Sequence, residues 1–194
     1  MTKTLFSIAL LSTALTACVS VLPEPDVPDA LYKIEASVEH PGLTANILVR
    51  EPEAARLIAG QGLVSERGDG GLRLVAGAEW AGPATRQIQF AMIDSFSADS
   101  DGHALAPEIG AMADYELASR IADLKLTGER ATCRMLVSVI RSDDRSLLAR
   151  TEIEASRTAR GRSSADRAIA LRAAASDCAA QASLFAIEAL ADAS

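Results

Sequence analysis

The chain has 194 residues, 49% of them hydrophobic but only 4% aromatic, and carries 26 acidic against 19 basic side chains for a net charge of −7. That length suits one domain with a sizeable core. The acidic balance argues against a nucleic-acid partner and against electrostatic adsorption onto anionic lipid.

Lys3 is the sole basic residue of a short n-region, residues 5–15 form an apolar run, and Leu15-Thr16-Ala17-Cys18 supplies a small-residue cleavage site with a cysteine just after the cut. The run is too short to persist as a bilayer-spanning helix, so residues 1–17 read as a processed export signal. The tetrapeptide resembles the bacterial lipobox, which makes Cys18 the acylated residue and new N-terminus. An ordinary secretory signal cut after Ala17 would leave that cysteine unexplained. Residues 18–30 hold Pro23, Pro25 and Pro28 among three acids without periodicity, and read as a solvated tether. The rest, 31–194, is expected to form a single domain in an oxidising aqueous space. No further stretch of eighteen apolar residues follows, so no transmembrane helix is expected.

Residues 31–36 alternate apolar and polar side chains as a half-buried strand does, and 46–50 form a second short strand. Pro52 opens a turn or two of helix that Gly60 and Gly62 end. Residues 63–66 and 72–75 then make a hairpin around Gly68-Asp69-Gly70-Gly71. Glu79-Trp80-Ala81-Gly82-Pro83 leads into a second helix with Pro83 at its first position, and Ile88, Ala91, Met92 and Ser95 share one face of it. Residues 98–110 are a polar loop.

The second half is richer in strand. Tyr115, Leu117, Ser119 and Ile121 alternate with polar or small neighbours. The phase then slips to place Leu124 and Leu126 on the inner side, as a β-bulge would require. Cys133, Met135, Val137 and Val139 face one side of the next strand, 142–146 form a turn, and 147–157 return with Thr151, Ile153 and Ala155 inward. Three strands joined by short polar turns form an antiparallel meander. A long helix closes the chain, with Ser163 as cap and Asp166 three residues on; Leu171, Ala175, Cys178, Ala182, Phe185 and Ala189 form its apolar stripe. The expected fold is α+β: a mainly antiparallel sheet with two principal helices packed on one face, the C-terminal one long.

Taken in order, these pieces resemble the ABC-type transport auxiliary lipoproteins. Besides the tetrapeptide ending in Cys18, Leu31-Tyr32-Lys33-Ile34 stands where that family has a tyrosine-containing first strand. Residues 47–57 are similar to its extended segment with a proline and a small helix. Trp80-Ala81-Gly82-Pro83 looks like its tryptophan-alanine-acid-proline turn, with Gly82 in the acidic place. Asp114-Tyr115-Glu116-Leu117 followed by Asp123-Leu124 resembles its long central strand, and the alanine-rich last helix fits. The resemblance spans residues 31–190. It implies a lipid-anchored periplasmic component of an intermembrane lipid transport system, in which an ABC transporter works with a protein carrying mammalian-cell-entry domains. Those two are the implied partners, with membrane contact through the acyl chains on Cys18 and self-association left open. Val19, rather than aspartate, follows Cys18, which by the same analogy implies the outer membrane with the domain facing the periplasm. Two other roles stay open: a lipoprotein that itself binds a hydrophobic ligand, and an outer-membrane assembly factor.

Cys133 and Cys178 are the two cysteines that the anchor does not use. In an oxidising compartment they are a candidate disulfide, the alternative being two buried thiols acting as small hydrophobes. Little else suggests chemistry. His40 and His103 both fall in loops or turns and read as exposed, and no nucleophile elbow, zinc-protease helix or phosphate-binding loop is present. Asp99, Asp101 and Glu108 do not match a calcium loop, and Asp143-Asp144 reads as a turn. Neither enzymatic activity nor a cofactor or metal is expected. Trp80, the single tryptophan, is either packed at the entrance to its helix or a partner contact. Arg157, Arg160 and Arg162, with Arg167 beyond them, are either a solvated loop or a docking patch for an acidic partner.

Overall fold

The computed structural model describes residues 27–193. The segments expected to be an export signal (1–17), a lipid-attachment residue (Cys18) and a tether (up to residue 26) lie outside the described residues.

Strand β7 (Tyr115–Thr127) organises the sheet. On one edge it pairs antiparallel with β8 (Arg130–Arg141), which pairs antiparallel with β9 (Leu147–Thr158), as the alternating pattern predicts. Along its other edge lie β2 (Ile47–Val49), β3 (Glu53–Ala54) and β4 (Gly62–Glu66) in chain order, and all three run parallel to it. Beyond β4 come β5 (Leu72–Trp80), antiparallel, and β1 (Ala30–Tyr32), parallel to β5; beyond β2 lies β6 (Ala104–Leu105), also parallel. The sheet is therefore mixed and not mainly antiparallel. A parallel pair needs a crossover connection, and strands of two to five residues carry too little local pattern to announce a partner some sixty residues away.

The phase slip in the sequence corresponds to a real bulge. Ile121 faces Met135 and Asp123 faces Arg134, so Ala122 is the extra residue. The bulge leaves Leu117, Ile121, Leu124 and Leu126 all buried on one side, opposite Cys133, Met135, Val137 and Val139.

The expected strand 31–36 stops at Tyr32 because its neighbour β5 ends at Trp80 and the chain turns at Gly82-Pro83. Ile34 N–H donates instead to Gln87 Oε1 at 2.8 Å, and the Ile34 side chain enters the core. Gln87 lies on α2 (Ala84–Ile93), for which Pro83 is the N-cap and not the first helical residue. Ile88, Ala91, Met92 and Ser95 are buried as their spacing predicts. Gln89 is buried too, with Nε2 donating to the Val49 carbonyl at 2.8 Å. The segment from Pro52 pairs with β7 through β3 before its one helical turn, α1 (Arg56–Ala59).

Helix α3 (Ser164–Ala191) starts where Ser163 Oγ accepts the Asp166 N–H at 3.0 Å. It touches β1 and β9, at opposite ends of the sheet, as well as β5, β7, β8 and α2, so the sheet curls around it. Leu171, Ala175, Cys178, Ala182 and Ala189 are all buried, and the alanines bring the helix backbone close to the strands. Each fully buried Leu, Ile or Met in this layer contributes about 1.5–3 kcal/mol, which locates the core between the concave face and α3. Ser183 Oγ donates to the Met92 carbonyl at 2.8 Å and ties α3 to α2.

Candidate docking site

The end of the fold at which α3 begins collects chain segments that are far apart in sequence. The β4–β5 turn, the β7–β8 turn, the end of β9 and residues 159–163 all meet there. Two clefts flank the first turns of the helix. One, of about 450 Å³, is lined by Arg157 and Arg160 together with Asp166, Ile169 and Ala170. Arg157 forms an ion pair with Asp177, while Arg160 makes no ion pair or side-chain hydrogen bond among the described residues. Ile169 is 49% exposed beside them. A cationic rim next to an exposed aliphatic side chain suits a partner segment that is both acidic and apolar.

The second cleft, also about 450 Å³, is lined by Ser65, Glu66, Arg73, Glu129, Arg162 and Arg167 among others. Arg162 is 92% exposed and reaches Glu129 Oε1 through Nε alone, at 3.3 Å. Arg167 donates to Ser65 Oγ at 2.6 Å. The structure thus divides the arginine run: Arg157 and Arg160 share one cleft, while Arg162 turns to the other. Arg73 escapes sequence reasoning because it sits on β5, far from that run, and only the sheet brings it there.

Trp80 is 1% exposed, at the end of β5, and its backbone N–H donates to the Gln61 carbonyl at 2.7 Å. A ring so buried has no surface to offer a partner, so its contribution is to the core. Cys133 and Cys178 meet in the core as free thiols. The Cys178 thiol donates to the Cys133 carbonyl at 3.1 Å, and the neighbouring Cys178 sulfur together with burial pushes the Cys133 thiol well above its ordinary value. Of the histidines, His103 is exposed as expected, but His40 is half-buried with its Nε2 enclosed and unpartnered.

A run of ion pairs follows β7 and β8. Burial alone would push the Glu116 carboxyl up. Hydrogen bonds from Arg145 and Arg50 outweigh that and hold it below the ordinary carboxylate value. Asp123 behaves in the same way, its burial overcome by Arg134 and Lys125. Lys125 also reaches Glu66 at 3.1 Å and lowers that carboxyl. Among the described residues no group of three or more His, Cys, Asp or Glu side chains is arranged to hold a metal, and no helix is long and apolar enough to cross a membrane.

Against known families, residues 29–183 match the family model of the ABC-type transport auxiliary lipoprotein component. The chain belongs to that family. Among solved structures, this auxiliary lipoprotein is similar to a Xanthomonas campestris protein assigned to the DUF330 family model, with a TM-score of 0.75 and 20% identity over 84% of this chain and 98% of that one. It is also similar to a hypothetical protein of Chlamydia trachomatis, with a TM-score of 0.52 and 9% identity over 76% and 99% of the two chains. At such identities the likeness establishes the shared fold. No curated protein sequence matches the auxiliary lipoprotein.

Proposed function

We propose that this auxiliary lipoprotein is a non-enzymatic tether, anchored in the outer membrane through acylated Cys18, that docks its periplasmic domain onto an ABC and mammalian-cell-entry type lipid transporter. The family match across 29–183 carries this reading. The Leu15-Thr16-Ala17-Cys18 signal and the Val19 that follows add the anchor and its destination. The cleft bearing Arg157, Arg160 and Ile169 is the docking surface in this account. The concave side of the sheet, where a bound lipid would have to lie, is filled by α3, and the clefts flanking its first turns are open and charged; this favours tethering over cargo binding.

The test is crosslinking and capture of the lipidated protein from native membranes, with Cys18→Ser as control. Wild type is expected in the outer-membrane fraction together with a mammalian-cell-entry protein, and the serine variant is expected to lose the fractionation. Capture of assembly proteins alone would replace the tether reading with an assembly role, and a co-purifying lipid with no transporter would replace it with ligand binding.

A further inference from the structure

The cleft shared by Arg73, Arg162 and Arg167 holds positive charge that the protein itself does not neutralise. Arg167 lies on the first turns of α3, partly withdrawn from solvent, and no carboxylate approaches it within ion-pair distance among the described residues. Its terminal nitrogen donates to Ser65 Oγ at 2.6 Å, and its Nε–H is enclosed without an acceptor. A guanidinium even partly removed from water without a counter-ion is costly, so a position that retains one signals an anion supplied from elsewhere. Asp166, the adjacent acid, is turned away to bond Ser163 Oγ at 2.5 Å.

The other acids of the cleft are already engaged. Glu66 accepts from Lys125 Nζ at 3.1 Å and from Thr127 Oγ1 at 2.9 Å, and Glu129 accepts from Arg162. Arg73 has no ion pair or side-chain hydrogen bond among the described residues. Three cations (Arg73, Arg162 and Arg167) therefore line the cleft against two carboxylates, Glu66 and Glu129, within a protein whose overall charge is −7. Ser65 is almost wholly buried and accepts from Arg167, so its own hydroxyl proton is free to point at a ligand.

We propose that this cleft binds a phosphate group through Arg73, Arg162 and Arg167, with the Ser65 hydroxyl as a further donor. Three guanidinium groups arriving from β5, from the loop before α3 and from α3 itself match the non-bridging oxygens of a tetrahedral phosphate better than the two coplanar oxygens of a carboxylate. The lining includes no aliphatic or aromatic side chain. The site therefore takes the anionic head of a ligand and leaves any acyl portion outside. The phosphate can come from a phospholipid headgroup or from free phosphate, and the two sources are separable.

The experiment is titration of the full chain in detergent micelles, following arginine Nε–H resonances by NMR. Inorganic phosphate, acetate and dihexanoyl-phosphatidylglycerol below its micelle concentration are the three probes. Phosphate is expected to move the Arg73, Arg162 and Arg167 signals saturably, with Arg73→Ala and Arg162→Ala each weakening it about tenfold, one charged hydrogen bond's worth. Both of these side chains are exposed, so folding is not at stake; Arg167→Lys, which keeps the charge and loses the fork, is expected to weaken binding as well. A response to the phosphodiester as strong as to phosphate assigns the site to a lipid headgroup, and a response to inorganic phosphate alone assigns it to free phosphate. Acetate binding as tightly as phosphate, a non-saturating shift, or a saturable shift unchanged in both alanine variants would overturn the proposal. Arg157 and Arg160 are untouched in these variants, so failure here leaves the tether reading to its own test.

Discussion

Glu116 lies almost wholly buried between two guanidiniums, Arg50 at 3.0 Å and Arg145 at 2.7 Å. Arg145 reaches it from a left-handed backbone at φ 60°, a conformation that costs a non-glycine residue about 1–2 kcal/mol and that the ion pair helps to offset. The folded-state pKa of Glu116 is lowered, so the stability it contributes is present above the ordinary carboxylate value of 4.5 and is lost as pH falls through the folded value. Glu116→Gln is therefore expected to cost about 1–3 kcal/mol at neutral pH and to flatten the acid slope of the melting temperature below about pH 4.5. Asp123 contributes in the same direction, so the slope should shrink and not vanish; an acid slope identical to wild type would refute the assignment. The adjoining thiols of Cys133 and Cys178 make a second test at this scale. In an oxidising compartment they are expected to lose two protons and two electrons to an oxidant and bond, which would close a loop of 44 residues. The chain-entropy gain is about 3–4 kcal/mol. Intact mass without reductant, and a melting temperature that falls with reductant in wild type but not in Cys178→Ala, would report the bond. An unchanged mass would make the pair a permanently reduced part of the core.

At the scale of elements, what a sequence can disclose depends on how far the determining contact lies. The meander of β7, β8 and β9 is visible because alternation and short turns are local, and the slip after Ile121 shows because every inward side chain downstream changes parity. The stripe and Ser163 cap of α3 are visible for the same reason. The parallel edge is not: β3 is two residues long, and nothing within Glu53-Ala54 encodes Arg120 and Ile121 as partners. Burial of Trp80 is likewise fixed by strands and helices that close over it, and the separation of Arg162 from Arg160 is fixed by the turn at Gly161. The bulge gives an expectation with a sign. Deleting Ala122 restores a regular ladder in which Ile121, Leu124 and Leu126 still face inward, so the sheet should lose curl at a cost of about 1–3 kcal/mol and melt cooperatively. Deleting Ala118 instead sets residues 115–117 out of phase with the rest of β7, so that Leu117 can stay in the core only if Ile121, Leu124 and Leu126 leave it, and is expected to destabilise the fold far more. Circular dichroism melts of the two deletions decide it. Equal damage from both would mean that the bulge does not absorb the register.

Over the whole molecule, charge is distributed unevenly. An acidic protein presents Arg73, Arg157, Arg160, Arg162 and Arg167 at the one end where α3 begins, while the carboxylates of β7 are occupied by their own partners. Such a polarity orients an incoming acidic surface before contact and chiefly raises its association rate, an effect that salt screens within about 8–10 Å. If the Arg157 and Arg160 cleft is the docking surface, Arg157→Glu combined with Arg160→Glu should reduce transporter capture in the crosslinking experiment about tenfold and blunt its decline with added salt. Arg157 gives up its ion pair to Asp177 in that variant, so Arg160→Glu alone, which breaks no ion pair or side-chain hydrogen bond among the described residues, is the cleaner arm and should show the same direction. Arg73→Ala, in the other cleft, should leave capture unchanged. Capture insensitive to both charge reversals would remove the arginine end from docking and direct the search to the exposed Leu72 and Leu74 on β5.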